Sequence, residues 1–310
     1  MKIMKKTYLM PILTTICVVF IVWNNFIAVE ANSSIKPLAI MIGNSPEEID
    51  HQIGIAEADV IYEMNVEFPF TRLMAIFLNN NSTMVGPVRS SRYYFSRIAA
   101  EWSPIFAHCG GQTLKNGHLV NLDQLRYSYP YWRDMKIGGW INLFADTKKI
   151  REKSEQLGIT GEVNLKNNFL NYRENQVSGG DIRKITIKYH QKYAVSYEYN
   201  VNSNLYHRLV NNKYYKDSKT SKYINASNII VQYVPVSKIA GDNDGRLKVE
   251  VIGEGMAKIL YGGNYVLARW IKESKDHNTF FYDSSGEMIK LNKGQTWVEI
   301  VPKETEVWLK

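Results

Sequence analysis

From Lys184 to its end the chain is written almost wholly in period two. ITIKYHQKYAVSYEY, NIIVQYVPV, LKVEVIG, MAKILYGGNYVLARWIK, TFFYD and QTWVEIV alternate apolar with polar residues, and Gly, Asn and Asp separate them. Side chains on a strand point alternately to its two faces, so this pattern suits strands half-buried in a sheet and does not suit helices. Residues 184–310 are therefore expected to form a β-rich domain. Gly262-Gly263-Asn264 is its clearest hairpin turn.

The preceding residues follow a different rule. Pro37 to Gly43 reads as a buried strand closed by a turn, and Asp59–Val66 and Thr71–Leu78 as two more strands joined through Glu67–Phe70. A helix is expected from Arg92 to Trp102, capped by Ser90 or Ser91 and ended by Pro104. Ile105–His108 reads as a short strand and Leu143–Leu157 as a second helix closed by Gly158. Strands alternating with helices predict an α/β (α+β) layered amino-terminal domain with a mixed sheet over residues 35–165. Residues 166–183 are polar and contain Ser178-Gly179-Gly180-Asp181, so they read as a linker to the smaller domain.

Ahead of both lies an export signature. Lys2, Lys5 and Lys6 precede an apolar stretch from Tyr8 to Trp23, interrupted by Asn24 and Asn25 before Phe26–Val29 resumes. A basic start followed by a short apolar run is the pattern of a signal peptide, here with a cut after Ala31. An uncleaved anchor spanning residues 1–31 is the alternative, and would tie the chain to a membrane. Without those residues, which hold three of the 38 basic and one of the 30 acidic side chains, the formal charge falls from +8 to +6. This scattered surplus suits an anionic envelope surface, and no basic run is dense enough to predict nucleic-acid binding. The two cysteines are Cys17, in the apolar run, and Cys109, which leaves no internal disulfide outside the leader and suggests a Gram-positive exported protein.

Signatures of familiar catalysis, GxSxG, a Walker loop, HExxH and paired CxxC, are absent, and no metal or cofactor is expected. Three stretches stand out. Gly86-Pro87-Val88-Arg89-Ser90-Ser91-Arg92 would bring two guanidinium groups, hydroxyls and free N–H groups to a helix start, which is a chemically sound anion site. Its structural alternative is arginines paired with carboxylates such as Glu63 and Glu67. Ala107-His108-Cys109-Gly110-Gly111 offers His108 as an acid or base, or as a packed histidine. On a strand Cys109 points away from it. Tyr131-Trp132-Arg133-Asp134 lies in an aromatic tract with Tyr127, Tyr129 and Trp140, of the kind that holds sugars or fills a core. Ser90, His108 and Asp134 can be cast as a triad, without an elbow or a spacing rule to support it.

At these residues the chain resembles a known family. PLAIMIGN, ADVIYEMNVEFPFTRLMAIF, GPVRSSR, AHCGG and WRD, in that order, are similar to the YerB-like envelope lipoproteins of Gram-positive bacteria. NIIVQYVPV, GRLKVEVIGEGMAKILYGG and LNKGQTWVEIVP resemble the carboxyl-terminal module of the same family. The resemblance implies an α/β first domain, a β-rich second one and an extracytoplasmic home, and it brings no settled activity with it. Two departures stand out. Ile16 precedes Cys17 where a lipobox has a small residue, and Ile141 stands where relatives have a histidine in a Pro-His-Asn-Leu-Tyr run.

The expectation from sequence is thus an envelope protein that binds an anionic ligand, be it wall polymer, phosphate or carboxylate. Arg72, Arg89, Ser90, Arg92, Arg133, His108 and Asn44 are the candidate contacts. Its alternatives are a metal-independent wall hydrolase using Glu63 or Asp134 with His108, and an accessory module for an envelope partner that docks through a sheet edge.

Overall fold

The structure, a computed structural model, describes residues 37–67, 69–78, 80–102, 105–114, 119–158 and 168–310. The expected leader, Pro104 and the first two residues of the expected linker lie outside them. In the first half the elements are β1 (Leu38–Asn44), α1 (Pro46–Ile49), β2 (Val60–Asn65), β3 (Thr71–Phe77), α2 (Tyr93–Trp102), β4 (Ile105–His108), β5 (Val120–Asp123), β6 (Tyr131–Arg133), β7 (Leu143–Ala145) and α3 (Thr147–Gln156). The second half is all strand: β8 (Lys184–His190), β9 (Tyr193–Asn200), β10 (Leu205–Val210), β11 (Lys213–Tyr214), β12 (Asn225–Ala226), β13 (Asn228–Val234), β14 (Val236–Lys238), β15 (Leu247–Val249), β16 (Gly253–Tyr261), β17 (Asn264–Lys272), β18 (Phe280–Tyr282), β19 (Thr296–Pro302) and β20 (Glu306–Leu309).

A mixed sheet in the order β18-β17-β16-β13-β19-β2-β3-β1-β4-β5 runs through the molecule. Its centre joins the two halves, because β19 lies parallel to both β2 and β13. A second sheet, β11-β10-β9-β8-β20 with β12 beside β10, packs on one face of the first. Alternation decides what meets there. Ile40, Ile61, Leu73, Ile229 and Trp297 of the large sheet share a core with Ile187, Val195, Tyr197 and Tyr206 of the small one. The opposite face buries Met41, Tyr62, Met74 and Ile300 beneath Phe95, Ile98 and Trp102 of α2. An α/β layered region with a mixed sheet and a β-rich carboxyl-terminal region is therefore what the chain builds, and the second region also lends five strands to the large sheet.

Two segments differ from expectation. The helix expected from Leu143 begins only at Thr147, since Asp146 is extended and its side chain accepts from the N–H groups of Lys148 and Lys149. Leu143–Ala145 pairs instead with β6. Within the expected linker, residues 168–183 form a hydrogen-bonded strap. Arg173 donates to Leu291 O at 2.9 Å, and Gly180 and Ile182 donate to the carbonyls of Gly262 and Gly263. Those two glycines are the expected hairpin turn, with φ of 58° and 76°. The left-handed backbone turns the hairpin, and the missing side chain lets the strap approach, since a Cβ on Gly262 would lie 2.1 Å from Val177 O.

Candidate functional site

One acid breaks the apolar run of β2 and another that of β19. Glu63 and Glu299 are register partners on adjacent parallel strands, both completely buried and both facing the small sheet. Neighbouring strands lie about 4.8 Å apart, so two carboxylates in this position need a cation between them. Arg208 supplies it. It reaches across from β10, donating from Nη2 to Glu63 Oε2 and from Nη1 to Glu299 Oε1 at 2.8 Å, with its guanidinium carbon 4.0 Å from the Trp297 ring centre. Burial works against that charge, but Tyr197, Glu63 and Glu299 outweigh burial and raise the Arg208 pKa.

Tyrosines complete the cluster. Tyr189 donates to Glu299 Oε2 at 2.6 Å, Tyr197 donates to Glu299 Oε1, and Tyr193 donates to Glu63 Oε1 at 2.7 Å. Thr71 and Asn44 also donate to Glu63 Oε1, at 2.6 and 3.1 Å. Burial and then the neighbouring Glu63 charge push the Glu299 carboxyl up to about 7.

Asn44, Thr71 and Tyr193 have a second role, because they also line a cleft of about 720 Å³ where the two halves of the chain meet. One wall is Pro46, Ile49 and Asp50 around α1, with Phe70. The other carries His190, Lys192, Val210, Lys213 and Lys216 from the small sheet and its turns. Lys192, Lys213 and Lys216 are exposed. Of the acids in the wall, Asp217 is committed to the structure, accepting from the N–H groups of Gly54, Lys219 and Thr220 and from the Thr220 hydroxyl. The wall thus holds three exposed lysines against two acids, and Asp217 is buried while Asp50 meets the solvent.

The arginines singled out from sequence bond to carboxylates and carbonyls. Arg92 grips Glu67, its Nε at 2.7 Å, and Arg72 donates to Ser90 O at 2.7 Å, so Arg72, Ser90 and Arg92 are gathered on the α2 side of the sheet. Arg133 donates to Asn142 Oδ1 at 2.8 Å. Arg89 pairs with Glu48 and stacks on Trp140 at 3.9 Å. Glu48 belongs to α1, and it fits because Gly43 has no side chain; a Cβ there would sit 2.0 Å from the carboxylate. Arg89 thus braces a wall of the cleft from behind. Arg89→Lys keeps the charge and loses the planar fork, and it should lower stability by about 1–2 kcal/mol in thermal melting, with added phosphate not restoring it. A full recovery with phosphate would show that Arg89 serves an anion rather than Glu48.

His108 is buried on the α2 face, against Phe106, with Nδ1 3.0 Å from Gly110 O and 3.9 Å from Asp123. Burial lowers its pKa. Glu63 points to the other face of the same sheet, and Asp134 accepts from the Lys136 N–H in a surface turn. The pairing of His108 with Glu63 is not assembled, because alternation sends Glu63 of β2 and His108 of β4 to opposite faces of the sheet. The triad of Ser90, His108 and Asp134 is not made either: Ser90 is bonded by Arg72 and Arg92, Asp134 by the Lys136 N–H, and His108 Nδ1 lies against Gly110 O. Among the described residues no group of three or more His, Cys, Asp or Glu is placed to hold a metal, and no helix is long and apolar enough to cross a membrane.

Fold and site together define a class: a two-module protein whose modules share one sheet and enclose a basic cleft above a buried acid–arginine–acid cluster. The chain belongs to the family described as "Protein of unknown function (DUF3048)", whose amino-terminal domain matches residues 27–160 and whose carboxyl-terminal domain matches residues 185–298. It is similar to "Putative lipoprotein YerB" of Bacillus subtilis (strain 168), 24% identical over 277 residues, which are 86% of this chain and 81% of the relative. The crystal structure of the YerB protein from Bacillus subtilis superposes with a TM-score of 0.77 at 25% identity, covering 88% of this chain and 94% of that one.

Proposed function

We propose that this chain is an extracytoplasmic envelope protein that binds an anionic ligand in the cleft between its two modules. The charge imbalance of that cleft carries the reading. Lys192, Lys213 and Lys216 are exposed around it, and one of its two acids is already held by four hydrogen bonds. Low-dielectric walls concentrate such a field and draw in anions. Export is supported by the basic and apolar leader and by the lipoprotein description of the relative.

Binding is favoured over hydrolysis. Glu63, the acid proposed for hydrolysis that lies beneath the cleft, is fully buried and accepts from Asn44, Thr71, Tyr193 and Arg208, which leaves it no contact with a substrate.

Calorimetric titration with inorganic polyphosphate tests the proposal. Binding should weaken with rising salt. Changing Lys213 and Lys216 together to Gln should weaken it roughly tenfold, as two partly exposed ion pairs of about 0.5–1 kcal/mol each would. An affinity untouched by both changes would overturn the assignment of the cleft.

A further inference from the structure

Beside the cleft the small sheet turns outward a group of rings that its own core does not use. Tyr206 and Arg208 face the large sheet, so His207 between them faces out. Its ring lies 6.1 Å from that of Tyr214 and 6.0 Å from that of Tyr223, and the two tyrosines are 5.6 Å apart. Tyr214 is 50% exposed and Tyr223 47%. An aromatic cluster left this open in a β-rich module has solvent on faces that would ordinarily be buried.

The rings are also fixed in place. Tyr214 donates to Glu198 at 3.0 Å, and His207 Nδ1 lies 2.6 Å from Asn225 Oδ1. Lys216 holds its ammonium 4.6 Å above the Tyr223 ring. Tyr214 and Lys216 both belong to the cleft lining, so the platform continues the basic cleft without a break.

Resting on the anionic-cleft reading, we propose that the ligand is a glycan carrying anionic groups, its charges held by Lys213 and Lys216 and its sugar rings laid across Tyr214 and Tyr223. The apolar C–H face of a sugar packs on an aromatic face whose polar edge remains wet, and a fixed ring loses little entropy in doing so. A polyanion without rings would use the lysines and leave the platform empty.

The test compares polygalacturonate with inorganic polyphosphate matched in charge, on the chain and on two double variants. Tyr214→Ala with Tyr223→Ala removes the rings, and Tyr214→Phe with Tyr223→Phe keeps them. The expected result is tighter binding of polygalacturonate, weakened about tenfold in the alanine variant, kept within twofold in the phenylalanine variant, and no change for polyphosphate in either. If the two polymers bind alike and the alanine variant changes neither, the glycan assignment is wrong and the anionic cleft stands. Equal loss of both polymers in the alanine variant also overturns it, since the rings then act through the fold. If neither polymer binds the unaltered chain, the cleft reading fails, and the glycan assignment with it.

Discussion

Replacing Arg208 with Met is expected to remove about 3–5 kcal/mol of folding stability, the loss of transition temperature being roughly 10 °C by calorimetry. Methionine keeps an unbranched apolar side chain in place of the arginine stem, and what it deletes is the guanidinium that lies over Trp297 and Tyr197. Two completely buried carboxylates on neighbouring strands are then left without their cation. Both must either stay charged in a dry interface or take up protons. The deficit should therefore be larger at pH 8 than at pH 5, where protonation relieves the repulsion. The described residues from Pro37 onward form one compact unit, so the loss should appear as a single transition moved to lower temperature. A shift below about 1 kcal/mol at both pH values would show that the bridge does not carry the interface between the sheets.

That cluster was written in the sequence in a form that period counting passes over. VIYEMN and TWVEIVP each place one acid in a run whose neighbours are apolar on both faces, and LYHRLV places one arginine where alternation demands an inward residue. A lone charge in a strand destined for the core is a signal in itself, because it requires an opposite charge from elsewhere. What could not be read was which strands would face one another, since β10 and β19 are about ninety residues apart and β2 lies further still. The period-two pattern did give the strands of the second half and the Gly262-Gly263 turn. It is silent on sheet membership, so β13 and β16 through β19 joining the first module's sheet had no local signature. Arg89 and Arg92 looked like an anion site because a strand end followed by a helix start is a local pattern. Glu48, which takes Arg89, sits 41 residues earlier in the chain, in a helix of one turn that no periodicity would have marked. Asn44 alone among the residues proposed from sequence lines the cleft, and its position follows from a strand end that was legible.

Glu299→Gln should abolish a pH dependence that the unaltered chain shows. Its carboxyl is held at about 7 in the folded protein, against an ordinary value near 4.5 in the unfolded chain, because burial and the Glu63 charge disfavour ionisation more than Arg208, Tyr189 and Tyr197 favour it. The folded state thus binds an extra proton between these two values. Stability from this group is fully present below about 4.5 and is lost as the pH rises toward 7, by an amount on the order of 3 kcal/mol. Glutamine is neutral throughout. It keeps an oxygen for Tyr197 and Arg208, and turns its amide toward the Tyr189 hydroxyl, which can accept as readily as it donates. The unaltered chain should accordingly lose its advantage over the variant between pH 5 and pH 8, and the two stability curves should converge or cross as the pH is raised. Every other titrating group is common to both proteins, so their difference reports this carboxyl together with its coupling to Glu63. Denaturant unfolding at four or five pH values measures it, and a difference that stays constant across that window would mean that Glu299 is ionised throughout, with Arg208 binding both acids as a fully charged triad.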